Sequence, residues 1–549
     1  MSAPTLGCQI APHYFHHGQG SRSNSDSNIS ERVLGSTEIA ISQGRRASDR
    51  HETTDSTMLP PSRPRPLQRD STHSNHRQVP VGFWHWSMAG VRLHVLKLWF
   101  RTNLILALAI MTCLCLFWGA LFGQDKRIEK LNIWVVDFDG QPPYTNITPF
   151  VGPFVTQTVR NMMNDGGMVL GYAFASPGDF DNDPLKVRES IYDFKAWASI
   201  IVNPGATAIL EAAVGQGNAS YDPLDACEIT LNTARDQITF ASYILPSMSL
   251  FQKRVMNEFG RSWIAHLLES GVSVNDMHLE ISPQAISPGI DFTIYDLRPF
   301  GPPIATPAVS IGLIYLIIIS FFSFTFFLPI HLKYLSPKGH PPLHFHQLIV
   351  WRYTATVASY FLLSLIYSFV SLAFLLPLNR SPTTHYQSAE NPNAYGYGTF
   401  VVYWMGNWVG MTAFGLASEN MAMLLGTPWT ALWLIFWVIS NVATGFYALD
   451  LAPDFYYWGY AWPMHNIVEL TRSTLFDLHP RVGLNFGILF AWVVIDTGLF
   501  PLCCYYMRWN TTRTKNKAIK ANTEWKAKME KANEDPGLLA RITTIGSRR

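Results

Sequence analysis

The 549-residue chain contains no Gly-Lys dipeptide, and so no G-x-x-x-x-G-K-[ST] loop to cradle nucleotide phosphates. If ATP drives it, a separate nucleotide-binding subunit must hold the nucleotide. H-E-x-x-H and G-x-S-x-G are missing as well, which removes two common hydrolase arrangements. With no catalytic constellation, the chain reads as a non-enzyme that needs no cofactor. Charge is scarce, at 15% of residues, and its near balance of +2 offers no basic footprint for nucleic acid. Cysteine is also scarce: Cys8, Cys113, Cys115, Cys227, Cys503 and Cys504. Only Cys227 falls in the region placed below outside the cytosol, so no intrachain disulfide is available there.

What the chain does have is apolar surface. It is 48% hydrophobic with 18 Trp, and its mean hydropathy of +0.08 averages polar ends with a greasy middle. Residues 1–80, rich in Ser, Pro, His and Arg, cannot bury enough surface to offset the entropy of ordering and read as a disordered cytosolic tail. Within it Ser48 follows Arg45-Arg46-Ala47 as in a basophilic kinase site, and PPSRPRP at 60–66 suits polyproline II. Trp84, Met88, Val91, Val95 and Leu98 recur at helical spacing, predicting an interfacial helix over 81–103 that feeds a first span at 104–122.

Residues 123–306 alternate strand and helix patterns. LNIWVVD at 131–137, ASIIV at 198–202 and 228–231 read as buried strands; 154–163, 206–214 and 241–268 read as helices. The expectation is an inserted α/β extracytoplasmic domain of ~180 residues. Asn146 and Asn218 head glycosylation sequons within it.

Five further spans are expected in the membrane domain 307–507, at 307–330, 353–376, 399–418, 429–449 and 484–507. The tail 508–549 is basic and the 331–352 loop carries Lys333 and Lys338, against one Arg380 in the loop 377–398. This asymmetry puts both termini in the cytosol. His340, His344 and His346 fit no rigid ligand set and read as a solvated loop rather than a metal site. The whole is a polytopic α-helical membrane protein, with one N-terminal and five C-terminal spans around the inserted domain.

Between the last two spans lies APDFYYWGYAWPMHNIVELTRSTLFDLHPR, 452–481, too polar to cross a bilayer. Its aromatics suit a membrane-water boundary. After Pro463 it becomes amphipathic, with Ile467, Leu470 and Thr474 on one face and Glu469, Arg472 and Ser473 on the other. We expect a re-entrant element lying on or dipping into the membrane, a candidate gate through Trp462, Pro463, Glu469 and Arg472, the last two three apart and able to pair.

Within the spans, Asp496 stands in the middle of the last. A carboxylate at that depth costs ~3 kcal/mol or more and serves either a polar pathway or a bond to Ser or Asn on a neighbouring helix. Glu419 and Asn420 are expected as an interfacial cap at the cytosolic end of the fourth span. Asn407 and Asn441 read as interhelical hydrogen-bond partners, and Gly406 with Gly410 as a close helix contact.

Several segments resemble the fungal nitrosoguanidine-resistance family of multi-pass membrane proteins: 131–140, 199–204 (SIIVNP), 312–322 (GLIYLIIISFF), 406–420 (GNWVGMTAFGLASEN) and 459–468 (GYAWPMHNIV). The order of parts is similar to the permease half of the ABC-2 type transporter superfamily. The resemblance covers about residues 95–510 by these segments. It implies a plasma-membrane protein that affects resistance to toxic compounds and lipid distribution, in contact with membrane lipids and paired as a homodimer. Export or leaflet redistribution of amphipathic compounds or lipids is the leading expectation; a non-transporting scaffold or regulator is the alternative.

Overall fold

The computed structural model describes residues 80–166, 169–269, 277–278, 280–335, 339–341 and 343–534. Ser48, the polyproline stretch and nearly all of the expected disordered tail lie outside these residues. Five strands form one sheet: β1 (Asn132–Asp137), β2 (Gly171–Ala175), β3 (Ala198–Val202), β4 (Cys227–Leu231) and β5 (Phe292–Asp296), in the order β2-β1-β3-β4-β5. Only β3 and β4 run antiparallel; the other neighbours are parallel.

Side-chain alternation divides the two faces of the sheet. Ile133, Val135 and Ile200 pack with α2 (Val151–Asn164), α4 (Ala206–Gln216) and α6 (Leu245–Glu269). On the opposite face, Val136 and Ile201 meet α3 (Pro184–Tyr192) through Val187. A short α5 (Gln237–Thr239) and a π turn over Phe240–Ile244 run into α6 without a break. Two edge strands, β2 and β5, and α3 were not expected from the sequence. The Gly171 start of β2 lets backbones close in, since a Cβ there would stand 2.0 Å from the Glu129 carbonyl oxygen.

The VVDFDG motif ends β1 with a structural carboxylate. Asp139 accepts from the N–H groups of Gly152 and Thr207, at 3.2 and 3.1 Å, so one side chain caps the first turns of α2 and α4. The Thr207 hydroxyl also donates to Asp139 at 2.5 Å, so this carboxylate just past β1 is held by the chain's own groups.

The apolar segments form α1 (Ala89–Leu121), α7 (Ala305–Val309), α8 (Ile311–His331), α9 (Phe345–Ala373), α10 (Thr399–Leu425), α11 (Thr430–Gly445), α12 (Pro463–Phe476) and α13 (Val482–Glu534). Four helical segments, Ala89–Leu121, Ile311–Leu335, Phe345–Ala373 and Val482–Ala527, are long and apolar enough to cross a membrane, and this makes the chain a polytopic helical membrane protein. α10 is not among the four, because Gly, Asn, Ser and Glu dilute its hydropathy. α11, at 16 residues, rises only about 24 Å against a hydrocarbon core of about 30 Å.

Several boundaries differ from expectation. The interfacial helix and first span are one helix, because nothing in Arg101-Thr102-Asn103 breaks it: Thr102 and Asn103 donate back to the carbonyls of Leu98 and Trp99 at 2.9 Å. The span expected from residue 307 is interrupted at Ser310. α9 begins eight residues before the expected 353, taking Arg352 inside the helix. Past Met507, with no Gly or Pro to stop it, α13 runs on to Glu534.

α10 lies at the centre, touching α8, α9, α11, α12 and α13. Its small residues allow this: a Cβ on Gly406 or Gly410 would meet Leu470 or Ile467 of α12 at 2.8 and 2.3 Å, so this glycine pair serves packing within the chain. α12 is accordingly no surface helix. Met464, Ile467, Val468, Leu470, Leu475 and Phe476 are all buried, and so are Arg472 and Ser473 on the expected polar face, which meets the sheet-bearing region instead of water.

Candidate functional site

The candidate residues of the spans and of 452–481 gather in three places, with Asn407 apart from all of them. Glu419 and Asn420 on α10 are buried beside Asp496 on α13, with Arg352 of α9 completing the group. Arg352 donates through Nη2 to Glu419 Oε1, and Thr356 Oγ1 donates to Glu419 Oε2 at 3.4 Å. Nη1 meets only sulfur, Met423 Sδ and Cys504 Sγ at 3.6 Å, Nε is buried without a partner among the described residues, and the group lies 5.4 Å from the Phe500 ring centre. Glu419 is therefore no interfacial cap. Placing Arg352 within α9 brings a guanidinium to its carboxylate inside the bundle.

Asp496 has no such cation among the described residues. Asn420 Nδ2 donates to its main-chain carbonyl at 3.0 Å and to Oδ1 at 3.3 Å. Asp496 Oδ2 and Asn420 Oδ1 remain buried without a partner among the described residues. One guanidinium thus serves a site holding two carboxylates and two open oxygen acceptors.

The second place is the junction of α11 and α12. Asn407 stands apart from it, donating to Ser368 on α9 at 3.0 Å. Asn441 accepts from the N–H of Met464 at 3.1 Å, so α11 supplies the cap that Trp462 does not provide to α12. Pro463 occupies the first helical position, where its missing N–H costs nothing. Trp462 donates to Ser440 at 3.3 Å and packs among Trp437, Trp458 and Trp492.

The third place is a cavity of about 250 Å³ where the sheet-bearing region faces α11 and α12. Glu469 and Arg472 both line it, yet they do not pair. Glu469 faces His465 at 3.7 Å, while Arg472 faces Asp236 at 3.6 Å and donates to the Arg235 carbonyl at 3.1 Å. Arg472 finds its partners on the sheet-bearing region, while Glu469 finds its own one turn back on α12. Arg235 itself lies over Trp197 and Phe194, 3.8 and 4.6 Å from the ring centres. Burial pulls its guanidinium down to about 10; Asp450 opposes that shift and Arg481 adds to it.

Arg298, fully buried, joins the sheet-bearing region to the end of α12. It donates to the main-chain oxygen of Asp477 at 3.2 Å, to Asp477 Oδ2 at 3.2 Å and to the carbonyl of Gln387 at 2.9 Å. Asn146 and Asn218 are exposed on the sheet-bearing region, and Asn218 Oδ1 accepts from the Ser220 N–H at 2.9 Å.

A family described as a protein of unknown function, DUF3533, matches residues 102–498, close to three quarters of the chain, and every candidate named in the spans and in 452–481 falls within it. The chain belongs to the DUF3533 family. It is similar to an uncharacterized endoplasmic reticulum membrane protein of Saccharomyces cerevisiae, 27% identical over 504 residues that cover 88% of this chain and 92% of the yeast protein. No solved structure matches it.

In this DUF3533 chain the functional-looking residues missed from sequence are Arg352, Arg298, Arg235 and Asp236. Arg352 borders an expected span, whereas Arg235, Asp236 and Arg298 fall between expected elements, where a charge reads as solvated. The available signal was Glu419: a carboxylate inside a span calls for a cation, and Arg352 was the nearest one bordering a span.

Proposed function

We propose that this chain is a permease-like membrane protein that exports amphipathic compounds or lipids, or sets their distribution between leaflets, and so contributes to resistance to toxic compounds. The observation that carries this reading is the buried Asp496–Asn420 pair. Two oxygen acceptors without donors, in a bundle interior where polar atoms are costly, suit transient contact with a polar group in transit. In this reading α10 and α11 cross the membrane along with the four longer helices, giving six spans with both termini cytosolic. The sheet-bearing region is then extracytoplasmic and carries sugar at Asn146 and Asn218. The plasma membrane is the address implied by the resemblance; the name of the yeast relative points to the endoplasmic reticulum. The active unit is a homodimer working without a cofactor of its own, with any nucleotide bound by a separate subunit.

The test is flux of a fluorescent lipid or drug in liposomes holding the purified protein. Asp496→Asn should slow it at equal protein level; equal rates would remove Asp496 from the mechanism. Glycosidase-sensitive mass at Asn146 and Asn218 checks the topology, and modification at Asn510 instead would invert it. A second reading, a non-transporting scaffold, draws on the exposed basic stretch of α13 beyond Met507, which offers a partner a helical face. It prevails if purified protein moves nothing under any gradient and a copurifying partner restores movement.

A further inference from the structure

Three guanidinium groups and three carboxylates line the cavity between the sheet-bearing region and α12, so its formal charge is balanced and what it leaves open is N–H donors. Asp236 is committed: its Oδ1 accepts from the N–H groups of Ile238 and Thr239, both at 3.0 Å, and its Oδ2 faces Arg472. Asp450 accepts from the Tyr460 hydroxyl at 3.1 Å, and Glu469 faces His465. The guanidinium N–H groups are less engaged. Arg472 is 8% exposed and its Nε is buried without a partner. Arg235 donates to the Ala196 carbonyl at 2.9 Å and makes no ion pair among the described residues. Arg481, exposed at the rim, lies 5.5 Å from the Phe194 ring centre and likewise has no ion pair among them. Three guanidinium groups on three separate segments thus converge on one small space, and forked N–H donors of this kind match the oxygens of a phosphate.

Size and surroundings choose the source of that phosphate. At about 250 Å³ the cavity is smaller than the ~300–1,000 Å³ sites that enclose drug-sized ligands, and so has room for a headgroup but not for acyl chains. Beside it Phe455 and Tyr457 are exposed, and Tyr460 is both exposed and part of the wall. Exposed aromatics of this kind mark the depth of lipid headgroups.

We propose that this cavity binds the phosphate of a membrane phospholipid headgroup through Arg235, Arg472 and Arg481, with the acyl chains left in the bilayer alongside the aromatic rim. This deepens the permease reading, on which the choice of a lipid rests, by giving the pathway an entry site at the membrane surface.

The experiment is equilibrium binding of a fluorescent short-chain phosphatidylglycerol to the purified full-length protein in detergent. Competitors are inorganic phosphate and a diacylglycerol of the same chain length. Wild type should bind and Arg481→Gln should bind at least tenfold more weakly, while Arg481→Lys keeps most of the affinity. Because Arg481 is at the rim, these variants keep the fold, as unchanged melting will show. Arg235→Gln, if it folds, should weaken binding similarly. Diacylglycerol should not compete, and phosphate should compete only at far higher concentration. The proposal is overturned if wild type does not bind, if Arg481→Gln binds like wild type, or if diacylglycerol competes. Competition by phosphate at equal concentration would make a free anion the ligand and overturn the lipid assignment. Binding is read without flux, so a protein that binds but moves nothing refutes the permease reading alone.

Discussion

Removing the charge of Glu419 tests whether the intramembrane cluster is organised as described. Glu419→Gln keeps an acceptor for Thr356 but leaves Arg352 with two thioether and thiol sulfurs at 3.6 Å and the face of Phe500. Sulfur is a weak acceptor, and Arg352 Nε already has no partner. Breaking one side of a buried pair costs about 3–5 kcal/mol, because the remaining charge is stranded. At about 1.4 kcal/mol per factor of ten, the folded-to-unfolded ratio should fall by two to three and a half orders of magnitude. Arg352→Met should be comparably damaging through the stranded Glu419. Arg352→Met with Glu419→Met should recover most of the loss, since apolar side chains of similar volume often replace a buried pair without penalty. Asp496→Asn, which strands no cation and keeps the Asn420 bond to the main chain, should stay within about 1 kcal/mol of wild type, as for most mild substitutions. Melting followed by size-exclusion chromatography in detergent ranks the four. If Glu419→Gln melts with wild type, or the double variant is as poor as the two singles added, the pair does not carry the charge balance assigned to it.

Three other substitutions test separate parts of the fold. Gly415→Ala would place a Cβ 2.4 Å from Cζ of the fully buried Tyr360, so it should destabilise by about 1–3 kcal/mol; Gly415→Ala with Tyr360→Leu should melt higher than Gly415→Ala alone. Burial pushes the Asp137 carboxyl up to about 6, so folding favours its protonated form and stability falls as pH rises from about 4 to about 6; Asp137→Asn should raise the melting temperature at pH 7, by at most about 3 kcal/mol in stability, and change little at pH 4, whereas an equal effect at both would discard the titration. Arg298→Met strands the Asp477 carboxylate and several carbonyls, and limited proteolysis should then cut the 377–398 segment faster than in wild type; unchanged cutting would mean that other contacts hold it.

The sheet was legible where its strands are buried on both faces. β3 and β4 are buried at every residue, and the expected 198–202 and 228–231 fall on them; β1, half-buried at its alternate positions, was legible from the apolar run in LNIWVVD. β2 and β5 are edge strands with half-exposed patterns, so Gly-Tyr-Ala-Phe-Ala carries little signal by itself. Long apolar runs gave the helices but misplaced their ends, because a charge such as Arg352 or Arg101 is a reasonable place to end a span on polarity alone. At Arg352 a partner elsewhere in the chain pulls the boundary outward, and at Arg101 nothing breaks the helix. Asn420 and Asp496 were both readable as intramembrane polar residues; their meeting was not, since 76 positions separate them and neither carries a spacing signal for the other.

The stretch 452–481 shows where helical periodicity stops being informative. The period of 3.6 correctly separates Ile467 and Leu470 from Glu469, Arg472 and Ser473, but it reports only that two faces differ in polarity. It does not say whether the polar face meets water or another protein surface carrying complementary groups. Here the second holds: Asp236 and the Arg235 carbonyl receive Arg472, and Arg298 reaches Asp477 from the sheet-bearing region. The apolar face meets Gly406 and Gly410 of α10, the helix that carries Glu419 and Asn420. α12 therefore touches both the arginine-lined cavity and the helix of the buried polar cluster, as α11 does through Gly445. A shift of α12 cannot occur without moving side chains against those two glycines, where there is no room for a methyl group.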